Sequence, residues 1–276
     1  MIHVSSHAYS GNFSNGEVDS ELAFVRESLG KQLAKGPTKF GGYPARLTAD
    51  ASGASHLNRS HDAARLLDAS CDCAGAMFAA VAAPAGTTVT FPLQGAELSG
   101  PSGPPGYGCG PGAWTTAVLV AVAARRADTL STLLSVPVSI LEQGPGEHDR
   151  CFPHLMYAIQ AFFAGEDIEP PLTEFERLSQ PGELKVATPA ILRRFRALGP
   201  ALIALRGKDQ AAFTAALVAV LEAHKATFGR GKNARSYAFV IDYHASGVAV
   251  LGREAGLTVE VESGYLPRWL VEGPGA

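Results

Sequence analysis

A chain of 276 residues with 46% hydrophobic and 18% charged side chains carries enough apolar material for a sizeable core, which excludes a disordered or polyelectrolyte protein. Its formal charge is only −3, which excludes the uniformly basic surface that coats nucleic acid or an anionic membrane. Thirty glycines and eighteen prolines demand long irregular connections between the regular elements.

The first residues show neither a basic n-region nor an apolar h-region, so a cytoplasmic location is expected. Residues 1–18 are polar and read as a loose lead-in. Asp19 or Ser20 is placed to cap a helix over residues 21–35, where Leu22, Val25, Leu29 and Leu33 follow helical spacing. Gly36-Pro37, Gly41-Gly42 and Pro44 make residues 36–58 a long connection. Residues 1–58 therefore read as an N-terminal extension with one helix and 59–276 as a helical domain, with one continuous domain as the alternative. The Ala-rich stretch 59–83 predicts a broadly buried helix, and residues 87–93 a short edge strand limited by Pro92. Residues 95–112 read as an irregular Gly/Pro loop. Within it Gly108, Gly110 and Ala113 imitate a dinucleotide fingerprint, but no buried strand delivers them to a helix, so the match is read as loop.

Beyond Trp114 the pattern is helical: residues 114–127, 128–134, 149–164, 190–205, 210–228 and 236–255. Residues 165–186 are read as a connection, and 257–261 as a short strand. The tight turn at 206–209 joins two amphipathic stretches and predicts a helical hairpin. The expected fold is mainly α, a bundle of antiparallel helical pairs resembling a helical repeat, with at most a small β element near 87–93. The longest apolar run, residues 113–124, is too short to cross a bilayer, so no membrane partner is expected.

Cys71, Cys73, Cys109 and Cys151 form neither a disulfide framework nor a metal signature and read as core thiols. His154, His224 and His244 could meet Glu222 or Asp242 in one pocket, which would suit a metal- or histidine-dependent enzyme. The competing reading places them in hydrogen bonds at helix interfaces. Charge is unevenly placed: residues 1–184 carry a net −8, residues 185–235 a net +8 and residues 236–276 a net −3. Glu166, Asp167, Glu169, Glu174 and Glu176 crowd one segment and are the candidate surface for a basic partner.

Several stretches resemble a known family. They are Met77-Phe78-Ala79-Ala80, residues 134–141 with Val136-Pro137-Val138-Ser139, and Ala158-Ile159-Gln160 behind His154. Further on stand Ala216-Leu217, Glu222-Ala223-His224-Lys225 and Val261-Glu262-Ser263-Gly264-Tyr265-Leu266-Pro267. In this order, over residues 60–272, they resemble the immunity protein 49 family of bacterial polymorphic toxin systems. The resemblance implies a mostly α-helical protein that binds and neutralises a cognate toxin, often a nuclease. It implies no catalytic residue, metal or cofactor, and makes nucleic acid an unexpected partner. The first 55 residues, the Gly/Pro approach to Trp114 and Ala226-Thr227-Phe228 depart from the family pattern.

Overall fold

The computed structural model describes residues 1–143 and 148–273. It is mainly α, as the periodicity predicts, and its described residues fall into two compact units, Gly11–Gly146 and Met1–Ser10 with Glu147–Ala276. In chain order β1 (Ile2–His3) comes first, so the lead-in is not loose. Val4 is 2% exposed, and the amides of Ile2 and Val4 donate to Glu260 and Glu262 carbonyls.

In the Gly11–Gly146 unit, α1 (Asn15–Phe24) starts earlier than expected. Ser14 and Glu17 form a reciprocal capping box, with the Ser14 amide donating to Glu17 at 2.7 Å. Through a π turn at Val25–Leu29 it runs into α2 (Gly30–Leu33). The expected connection over 36–58 is replaced by a 3-10 turn (Pro37–Phe40) and a full helix, α3 (Tyr43–His56). Pro44 occupies the first turn of α3, where a missing N–H costs nothing. Gly53 is a packing residue, because a Cβ there would lie 2.3 Å from the Phe13 ring.

Helix α4 (Ser60–Ala82) is the centre of this unit, burying residues from Ala63 to Val81 on a broad face. It packs on α3, on α5 (Pro111–Ala123) and on α6 (Ala127–Leu134). The strand predicted at 87–93 forms as β2 (Thr88–Leu93), but it gains a partner in β3 (Ala96–Pro101), drawn from the expected irregular loop. Gln94 and Gly95, at φ 50° and 79°, supply the two-residue turn. The Gly108 region is a loop, as expected. Gly108 sits at φ 85°, and a Cβ there would lie 2.2 Å from the Gly41 carbonyl oxygen. Trp114 is fully buried and donates its indole N–H to the Leu133 carbonyl at 2.8 Å, and α7 (Val138–Leu141) follows. All four cysteines are buried free thiols. Burial pushes Cys71 and Cys73 well above the ordinary thiol range and Cys151 up to about 11.

In the other unit α8 (Cys151–Ala164) turns through Gly165, left-handed at φ 75°, into α9 (Glu169–Leu178). This helix replaces the connection expected over 165–186, with Pro170 and Pro171 in its first turn. The single helix expected over 190–205 is divided at Ala197 into α10 (Pro189–Arg196) and α11 (Leu198–Gly207). Pro200 explains the break, since it lacks an N–H for the Arg196 carbonyl and its ring crowds that group. The predicted hairpin then forms between α11 and α12 (Gln210–Phe228), with Asp209 capping α12 through the Ala212 amide at 3.0 Å. Helix α12 is long and apolar enough to cross a membrane, yet half of it is buried within the fold, with Phe213, Leu217 and Leu221 fully enclosed.

Instead of one helix over 236–255, a 3-10 turn at Tyr237–Phe239 precedes α13 (Tyr243–Glu254). Gly252 lets α13 approach α12, because a Cβ there would lie 2.2 Å from the Phe213 ring. The strand expected at 257–261 is reduced to β4 (Val261–Glu262), which pairs in parallel with β1, and α14 (Arg268–Glu272) follows.

Candidate functional site

A buried group of titratable side chains in the Met1–Ser10/Glu147–Ala276 unit is organised by Asp242. This residue is fully buried and caps α13: its Oδ1 accepts from the His244 amide at 3.0 Å, and its carbonyl accepts the Ser246 hydroxyl at 2.9 Å. Its own amide donates to the Tyr265 carbonyl at 2.9 Å, which ties the cap to the segment after β4. Arg194 of α10 reaches the same Oδ1 at 3.7 Å and stacks its guanidinium 4.7 Å above the Phe228 ring.

His224 of α12 stands beside Asp242. Its Nε2 lies 2.9 Å from the Phe239 carbonyl, which can only accept, so the ring proton belongs on Nε2. Nδ1 then faces Asp242 Oδ1 at 3.5 Å as lone pair against lone pair, and it has no hydrogen-bond partner. Burial, helped by the Arg194 charge, lowers the His224 pKa despite the pull of Asp242. His244 packs its ring edge on Phe195 and is held well below the ordinary histidine range by burial, then by Arg194 and His224. The fully buried Tyr265 packs on the His224 ring at 4.8 Å, and its hydroxyl accepts from the His7 amide at 2.9 Å while lying 2.7 Å from His7 Nδ1. Burial lowers the His7 pKa, which suits Nδ1 as the acceptor of the tyrosine proton.

A histidine beside a carboxylate is the raw material of general base catalysis, but that role needs a path to substrate. His224, His244, Asp242 and Tyr265 are each at most 1% exposed, so this cluster joins α10, α12, α13 and the N-terminal segment and presents no face to a ligand. The structure thus unites three of the five residues proposed for one pocket, His224, His244 and Asp242. Glu222 is exposed on the opposite side of α12 from the buried positions, and His154 on α8 packs against Tyr157 instead. Two members went unrecognised in the sequence, Arg194 and His7. Arg194 carried a readable signal, lying three residues after Ile191 and two after the buried Leu192, on a helix whose other arginines point outward.

The acidic candidates sit at the turn from α8 to α9 and along α9. Glu166, Asp167 and Glu169 are exposed. Asp167 accepts the Glu169 amide at 3.0 Å and so helps start α9. Glu174 is engaged by Arg177 in a two-pronged contact at 2.8 and 2.5 Å, and Glu176 by Arg196 at 3.0 and 2.6 Å. The negative edge with uncommitted carboxylates is therefore Glu166 and Glu169, with Asp167 beside them. Asp149, at the start of the helix expected over 149–164, has a role that the sequence does not announce. It is 1% exposed and accepts the amides of Lys185, Val186 (3.0 Å) and Ala187 (2.6 Å). Burial raises its pKa, but the three amides outweigh burial and hold the carboxyl below its ordinary value.

Compared with known proteins, residues 57–270 match the family described as immunity protein 49. Neither the curated proteins nor the solved structures contain a significant match. Two stretches that carry the family resemblance, around His224 and around Tyr265, each supply one member of the buried cluster.

Proposed function

The chain belongs to the immunity protein 49 family, and on that premise we propose that it protects its producing cell by binding one cognate toxin in the cytoplasm and covering the toxin's active site or substrate channel. The observation that carries this reading is the family match across residues 57–270, with the sealed state of the His224–Asp242 cluster in support. Glu166, Asp167 and Glu169 form the acidic contact and suit a toxin with a basic groove, as a nuclease has. Opposed charge speeds encounter and fixes orientation, and the remaining affinity comes from an interface of roughly 1,200–2,000 Å². Glu174 and Glu176 contribute less, because Arg177 and Arg196 already neutralise them.

The test is co-expression with the toxin encoded beside this gene. Wild-type protein restores growth and forms a stable complex with the purified toxin. Replacing Glu166, Asp167 and Glu169 with Lys abolishes protection; full protection by that variant would remove the acidic contact while leaving binding intact. Absence of any complex would sink the reading. Stoichiometric zinc or iron lost on His224→Ala would support an enzyme instead.

A further inference from the structure

Helices α10 and α12 and the segment leading into α10 line a groove of about 710 Å³. Pro181, Pro189, Ala219 and Ala226 are exposed along it above the buried Leu192 and Ala223, Arg193 and Arg196 border it from α10, and Glu222 borders it from α12. We propose that this groove docks an amphipathic helix of the toxin, apolar where it inserts and acidic along the edge that meets Arg193 and Arg196. The inference rests on the toxin-binding reading above and names the element of the toxin that is held.

Charge selects the occupant. The charged residues that line the groove are Arg193, Arg196 and Glu222. Arg193 is exposed and makes no ion pair among those of the described residues. Arg196 keeps 40% of its side chain exposed although Glu176 holds it. An acidic edge is complementary to Arg193, the uncommitted charge, whereas Glu222 on the opposite border favours a neutral or basic residue there, so the two borders fix the orientation of the docked helix. Shape points the same way. Ala219, Ala223 and Ala226 follow one another at helical spacing along α12, which leaves room for a second helix to approach closely. A small polar ligand would need convergent buried polar groups. The Ser179 hydroxyl is already used on the Glu176 carbonyl at 3.1 Å, and the charged side chains stand on the borders.

The groove is also built before binding. Asp149 fixes the 185–187 backbone through three amides, Thr188 caps α10 at the Ile191 amide (3.3 Å), and the Thr227 hydroxyl bridges α12 to the Ala190 carbonyl at 2.9 Å. A preformed groove loses little ordering entropy when it is filled.

The experiment measures affinity of the full chain for the purified neighbouring toxin by calorimetry, with Arg193→Glu, Glu222→Lys and Ala219→Trp, all at exposed positions. Arg193→Glu and Ala219→Trp each weaken binding by about tenfold or more with unchanged melting temperature, and Glu222→Lys changes it less. Wild-type binding with all three variants within about twofold overturns the groove and leaves toxin binding standing. No wild-type binding overturns both. A labelled single-stranded DNA that binds the wild-type chain and is released by Arg193→Glu also overturns the protein occupant, because the positive border would then serve phosphates.

Discussion

The two units differ in how closely a buried aspartate is paired. In Gly11–Gly146, Asp72 is 3% exposed, and its partner Arg126, 21% exposed, lies 2.5 Å away and also reaches Asp128 at 2.8 Å. Asp72 additionally accepts the Gln94 amide at 2.8 Å, so its carboxylate is served twice. In the other unit Asp242 is fully buried, Arg194 is 16% exposed, and one imidazole nitrogen beside them has no hydrogen-bond partner. A carboxylate with close partners keeps one of them when another is removed. Where the ion pair stands at 3.7 Å and an imidazole nitrogen beside it lacks a partner, the fold depends more on each member keeping its charge state.

The sharpest way to break that contrast is to remove the two aspartates. Asp242→Ala deletes a helix cap and leaves the Arg194 charge enclosed, so it should destabilise its unit by about 3–5 kcal/mol, read by chemical denaturation. Asp72→Ala should cost about 1–3 kcal/mol, because Arg126 turns to Asp128 and water while the Gln94 amide is left unsatisfied. Equal losses at the two sites would erase the distinction. A control that should not separate the units is steric. Gly53→Ala and Gly252→Ala each drive a methyl into an aromatic ring and should each cost about 1–3 kcal/mol.

Acid should separate them next. The His224 and His244 pKa values lie below their unfolded value of 6.5, so the unfolded chain binds more protons as pH falls through 6.5. The stabilisation is complete above pH 6.5 and is lost below it, with a slope approaching about 1.4 kcal/mol per pH unit for each histidine. His224→Gln should flatten that slope in denaturation measured between pH 7 and pH 5. An unchanged slope would mean that His224 takes up its proton alike in the folded and unfolded chains.

The sequence displays some of this and hides the rest for identifiable reasons. Helix α12 is legible to the residue, because Asp209 caps it and Gly229 follows it. Helices α3 and α9 were missed because Pro44, Pro170 and Pro171 were treated as breakers, although proline in a first turn begins a helix. Pro200, by contrast, does break a helix, and it was passed over within a long apolar pattern. The β1–β4 pairing joins residues near opposite ends of the chain, and no local pattern announces it. In the buried cluster His224, His244 and Asp242 were visible as candidates, but their common burial depends on how α10, α12 and α13 pack. The charge split was legible as a sum. Which charges are free was not, because Glu174 and Glu176 are committed to arginines by side-chain geometry.

The smallest effect on stability belongs to the exposed acidic turn, and that is what makes it informative. Exchanging Glu166 and Glu169 for Lys removes no ion pair among those of the described residues, so the melting temperature should stay within error of wild type. Asp167→Lys also removes the side-chain acceptor for the Glu169 amide and should lower it slightly. Arg177→Ala, at a surface pair, should leave melting nearly unchanged. Against that flat background, a slower association with the toxin that shrinks as salt is added would report steering by these carboxylates alone. A slower association that persists unchanged in high salt would assign the loss to shape at the α8–α9 turn.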